Sequence, residues 1–79
     1  MDRNEILQKV AVIFRGFFDN ETLPITLQTC NEDIEDWDSV AHIQLIFEVE
    51  SEFGIQFEAE KIAEMTSIEK IVENIQENI

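Results

Sequence analysis

One cysteine, one proline, one histidine and five basic residues are set among 79 positions, and each scarcity removes a class of protein. With Cys30 alone, no disulfide can close within the chain and a structural zinc site built on cysteines is excluded, so a reducing cytoplasm is the expected location. Against 18 Asp and Glu, the five Lys and Arg leave a formal charge of −13. A protein that binds DNA or RNA neutralises phosphates with cations, and this chain would repel them almost everywhere. An anionic membrane surface is disfavoured on the same ground. No run of about 18 apolar residues is present, so membrane insertion is not expected. The N-terminus has neither a basic segment followed by an apolar stretch nor a small-residue cleavage site, so a soluble, unexported chain is expected.

What is present is a hydrophobic content of 44%, with six Phe and one Trp, enough to demand a folded core. The length fits a single small domain over residues 1–79. At that size burial barely outweighs the entropy of ordering the chain, leaving little for a buried active-site cavity with its own supporting shell. The charge is unevenly spread. Residues 1–18 hold Asp2 and Glu5 against Arg3, Lys9 and Arg15, a net of +1, whereas residues 19–79 hold sixteen acids against Lys61 and Lys70, a net of −14.

Ile6, Val10, Ile13, Phe14 and Phe17 recur at helical spacing and predict a helix over about residues 3–18, broken by Asp19-Asn20. Pro24 with alternating Leu23, Ile25 and Leu27 reads as an extended, partly buried connection, part of a long loop that runs to Asp38 and whose apolar residues argue that it is packed. Val40, Ile43, Ile46, Phe47, Val49 and Phe53 form a wide apolar stripe, preceded by Asp38 as a helix N-cap and followed by Gly54 as a C′ residue, which predicts a helix over 39–53. Ala59 to Glu64 fits a short helix. Thr66-Ser67-Ile68-Glu69 reads as a capping box that opens a last helix on Ile68, Ile71, Val72, Ile75 and Ile79. No segment reads as a strand, a repeat or a low-complexity tract. The predicted fold is all-α: a four-helix bundle of three main helices and one short helix, with a long loop between the first and second.

The inventory for catalysis is poor. His42 is the only base suited to activating a serine, and Ser39 lies three residues before it, so the two would be neighbours on a helix. Neither an oxyanion hole nor a water-excluding pocket is visible beside them, and a partly exposed helical histidine is the plainer reading. Glu32, Asp33, Glu35, Asp36 and Asp38 suggest calcium, but counting from Asn31 puts Asp36 where an EF-hand needs glycine and His42 where it needs a bidentate glutamate. No metal site is expected. Along the helices, Glu48 with Glu52, Glu60 with Glu64, and Glu69 with Glu73 and Glu77 are like-charge pairs at i, i+4, which folding alone does not require.

Asp38-Ser39-Val40 offers a serine in the first turn of a helix after a long loop. Together with Leu45-Ile46 and Glu50-Ser51-Glu52-Phe53-Gly54-Ile55, it resembles the acyl carrier protein family, strongly from Asp33 to Ile79 and only in outline over the first helix. The resemblance implies a carrier rather than an enzyme. It implies that Ser39, beside Asp38, is esterified by 4′-phosphopantetheine derived from coenzyme A, whose thiol holds acyl groups as thioesters. It implies partners: a phosphopantetheinyl transferase, and acyl- or aminoacyl-loading ligases and acyl-transferring enzymes with basic surfaces, met by a monomer through Val40, Gln44, Phe47, Glu48, Glu50 and Ser51. The acidity then serves electrostatic steering. By the same resemblance an acyl chain would enter near Ile46, Val49, Ile62, Met65 and Ile71, residues that any core would also use; the bulk of Ile62 and Ile71 points to a short or polar cargo.

Two features depart from the family pattern. Ala41 replaces the typical acidic residue after the motif, with His42 next, and Trp37 precedes it. Trp-Asp-Ser is more similar to stand-alone carriers of specialised pathways, such as those for surface polysaccharides, polyketides or activated amino acids, than to carriers of fatty-acid synthesis. Trp37 either caps the core or serves a partner. The other class of reading is an acidic helical interaction module without a prosthetic group, in which Ser39 is only structural.

Overall fold

The computed structural model of the chain describes residues 2–79. Four helices follow in order: α1 (Arg3–Phe17), α2 (Ser39–Phe53), α3 (Ala59–Glu64) and α4 (Ile68–Asn78). The bundle is all-helical as the periodicities predict, and no helix among the described residues is long and apolar enough to cross a membrane.

Each long helix has a side-chain cap at its start. Asp2 accepts from Glu5 N–H and Asp38 from Ala41 N–H, both at 2.9 Å, satisfying donors that the first turn leaves unpaired. α2 stops at Gly54, whose φ of 65° is a left-handed conformation that glycine adopts without a Cβ penalty. At the end of α1 the same conformation falls to Asp19, with φ of 52°, a position Asp tolerates better than most residues. The capping box at Thr66 is corrected by one residue. Ser67 is the cap and its hydroxyl accepts from Lys70 N–H at 3.3 Å. The two preceding donors, Ile68 and Glu69 N–H, reach the carbonyls of Thr29 and Leu27 at 2.8 and 3.2 Å. The long loop, not a Glu69 side chain, therefore completes the start of α4.

That loop is packed, as its apolar residues suggested. Ile25, Ile34 and Trp37 are buried with the helices, Asn31–Asp33 form a 3₁₀ turn, and Cys30 makes a single antiparallel bridge to Ser67. α1 buries Ile6, Val10, Ala11 and Phe14, with Ile13 and Phe17 at the margin, and α4 buries Ile68, Ile71, Val72 and Ile75. Ile79, the last member of the predicted α4 stripe, lies past the helix end and is exposed.

The α2 stripe is the larger correction. Ala41, Leu45, Ile46 and Val49 face the core and Phe53 packs at its margin, while Val40, Ile43 and Phe47 are turned outward, Val40 with 69% and Phe47 with 57% of its surface accessible. At about 100° per residue these two sets fall on opposite sides of the helix. What read as one wide stripe is a core face and an apolar solvent face, and nothing in their chemistry distinguishes them.

Candidate functional site

Ser39 is the first residue of α2 and is exposed. Three features of the local sequence put it there. Asp38 ends the loop in extended conformation and caps the helix. Trp37, two residues before the serine, is 4% exposed and packs edge-on against Phe14 of α1, ring centroids 5.0 Å apart. Ala41, two residues after it, is buried. The chain is thus anchored on both sides of Ser39 while its hydroxyl faces solvent. Trp37 is a core residue, which answers for its packing the alternative left open by the sequence.

A recess of about 380 Å³ lies beside the serine. Asn31, Trp37 and Asp38 line it from the loop, Ser39, His42 and Ile43 from α2, and Ala63 and Thr66 from α3 and the segment after it. Its walls mix an indole and aliphatic carbons with an amide, a hydroxyl and an imidazole. The start of α2, with its positive dipole end, opens on the same place.

His42 does not serve Ser39 as a base. Its Nδ1 accepts the Trp37 indole N–H at 3.0 Å and its Nε2 reaches the Ile62 carbonyl at 2.6 Å, so both ring nitrogens are engaged elsewhere. Two carboxylates of the acidic loop serve local structure: Asp33 accepts from the Cys30 N–H and thiol at 3.0 and 3.4 Å, and Asp38 caps α2. Among the described residues no three His, Cys, Asp or Glu side chains are grouped so as to hold a metal ion.

The residues expected to meet partners lie on α2 downstream of Ser39. Val40, Gln44, Phe47, Glu48 and Ser51 are exposed. Glu50 is half-buried and its carboxylate is turned inward to accept the Phe57 N–H at 2.7 Å. Of the residues expected around an acyl chain, Ile46, Val49, Met65 and Ile71 are fully buried in the common core and Ile62 is partly buried against it. The recess beside Ser39 is walled instead by Trp37, His42, Ile43 and Ala63. The role of His42 as a bridge was not foreseen; the one sequence signal for it is a lone histidine one turn into a helix, five residues after a lone tryptophan.

No family model matches the chain. It is similar to an acyl carrier protein of Rubrobacter xylanophilus, with 35% identity over 81 aligned residues that cover 99% of this chain and 96% of that protein. Its fold is similar to that of a holo acyl carrier protein from Geobacter metallireducens solved in solution by NMR, with a TM-score of 0.83 and 26% sequence identity over 91% of this chain and 83% of that one.

Proposed function

The chain belongs to the acyl carrier protein family, whose members are carriers and not enzymes, and we propose that Ser39 is its single attachment point for 4′-phosphopantetheine. The observation that carries this reading is the placement of Ser39: an exposed hydroxyl on the first residue of α2, rigidly flanked, opening on a recess. The residues present suit the group. A phosphodiester on the serine oxygen would lie at the positive end of α2, and the Asp38 carboxylate is held by the Ala41 N–H rather than by Ser39. The recess combines an apolar wall for methylenes with Asn31 and Thr66 for amides. When bound, the arm supplies a mobile thiol for thioester chemistry; the chain's own thiol, Cys30, is engaged with Asp33 in the loop.

The protein's part is attachment and recognition. Val40, Ile43 and Phe47 expose an apolar stripe that begins one residue after Ser39, edged by Gln44, Glu48 and Ser51. An apolar stripe with a polar border that includes Glu48, on a chain of net charge −13, suits an enzyme surface of aliphatic and basic residues, with the net charge accelerating encounter more than it tightens the complex. In this reading the transferase and the loading and acyl-transferring enzymes share that face in turn, and the carrier works as a cytoplasmic monomer. The full burial of Ile46, Val49, Met65 and Ile71, together with the mixed lining of the recess, favours a short or polar cargo, and with Trp37 it favours a specialised pathway over fatty-acid synthesis.

The test is direct. Purified protein is incubated with coenzyme A, magnesium and a phosphopantetheinyl transferase and then weighed. One phosphopantetheine adduct, absent from Ser39→Ala, is expected. No adduct with several transferases would favour instead an acidic helical interaction module without a prosthetic group.

A further inference from the structure

His42 is committed to two different parts of the molecule at once. An indole N–H can only donate, so Nδ1 of His42 must be the acceptor from Trp37. The ring proton then sits on Nε2, which donates to the Ile62 carbonyl. The two rings are also stacked, with centroids 5.9 Å apart and planes inclined by 24°. Through the edge-on packing of Trp37 on Phe14, the contacts run from α1, through the residue two before Ser39 and the imidazole three after it, to α3.

Apart from the Ile62 side chain, which packs partly buried against the core, α3 has few other ties. It is six residues long, its N-cap Glu58 makes no side-chain capping bond, and none of its residues is buried. One and a half turns are far too short to persist by helix propensity alone. The fully buried Met65 follows it, and the Ile62 carbonyl that receives His42 also accepts the Met65 N–H at 3.2 Å. The next residue, Ala63, is the α3 wall of the recess beside Ser39. One carbonyl is therefore the junction of α3, the core and α2.

We propose that His42, held as its Nε2–H tautomer, is a positioning residue that latches α3 against the Ser39 end of α2 and thereby sets the width of the recess. Removing the imidazole leaves the Trp37 indole without its acceptor and the Ile62 carbonyl with the Met65 N–H alone, and the α3 wall of the recess is held only by the packing of Ile62 and Met65. The latch belongs to the unmodified chain. Its consequence for a carried group, namely that cargo passing between α2 and α3 must displace the imidazole, rests on the attachment reading of Ser39.

His42 and Trp37 are the only residues of their kinds in the chain, so each gives a single NMR signature. In the wild-type apo protein, long-range nitrogen–proton spectra should show Nε2 protonated and Nδ1 bare; the opposite tautomer, or a rapidly averaging mixture, overturns the proposal without any variant. In His42→Phe, the Trp37 indole N–H should shift upfield, and water exchange of the amides over residues 60–65 should speed up about tenfold, while Val10 and Ile71 change by less than about twofold. His42→Gln, which retains an acceptor and a donor, should recover at least half of both effects. Unchanged exchange over 60–65 in His42→Phe, or an equal rise at Val10 and Ile71, would refute the latch. Repeating the measurements in Ser39→Ala separates the two ideas: an intact latch there stands even if no adduct forms on the wild type, and a failed latch leaves attachment at Ser39 untouched.

Discussion

Glu50 accepts the backbone N–H of Phe57 at 2.7 Å, tying the last turn of α2 to the connection that leads into α3. Around the same residue the chain reverses at Gly54, and the Ile55 N–H returns to the Glu50 carbonyl at 3.1 Å. Phe57, held in this way, is buried in the common core. A carboxylate on the helix proposed to meet partners thus serves the fold. Glu50→Ala should lower unfolding stability by about 1.5–3 kcal/mol, the range for a hydrogen bond to a charged group, whereas Gln44→Ala and Ser51→Ala should each stay within about 0.5 kcal/mol. Urea denaturation followed by Trp37 fluorescence distinguishes the two outcomes, and equal effects at all three positions would contradict the assignment.

Gly54 offers a second stability test with a separate cause. A Cβ built at this position meets nothing within 4 Å, so any cost of Gly54→Ala is conformational. It should amount to about 1–2 kcal/mol, because φ of 65° brings a Cβ towards the following carbonyl. A destabilisation below about 0.3 kcal/mol would show that the turn relaxes to another conformation.

The outward and inward faces of α2 should separate cleanly. Phe47→Ser removes an exposed ring and should leave unfolding stability within about 0.5 kcal/mol, while raising the KM of the transferase for the carrier several-fold. Ile46→Ala, one residue away and fully buried, should cost about 2–5 kcal/mol. Calorimetric or chemical denaturation, set beside transferase kinetics, checks both. A Phe47→Ser variant that loses stability and keeps its KM would reverse the assignment of the faces.

Salt should stabilise the protein. The ion pairs among the described residues, Arg3 with Glu69 and Glu73 at 3.4 and 3.8 Å and Lys9 with Glu52 at 4.0 Å, are exposed and individually weak. They answer part of the like-charge crowding on α2 and α4 but leave a net of −13. Self-repulsion at that charge is long-ranged in dilute buffer, and the screening length shortens from about 30 Å at 0.01 M to 3 Å at 1 M ionic strength. Tm should rise steadily with sodium chloride and rise further per mole with magnesium. A flat or falling Tm would mean that such ion pairs dominate over self-repulsion.

Helix positions, the Asp38 cap and the left-handed stop at Gly54 were determined by the sequence itself, because they depend on periodicity and on side chains that meet backbone within four residues. The serine was legible for the same reason: its placement follows from a cap, a loop and a motif that are contiguous in the chain. Tertiary structure decided what depends on partners far away in sequence. Which apolar residues of α2 face inward is set by where α1 and α4 lie, and hydrophobicity alone does not tell Ile46 from Phe47. The cap of α4 moved to Ser67 because carbonyls of Leu27 and Thr29, some forty residues earlier, supply the first acceptors. The scarcity of histidine made the catalytic inventory poor, but only the fold brought Trp37, His42 and Ile62 together. A hydrogen-bonded relay across twenty residues is invisible until packing fixes its ends.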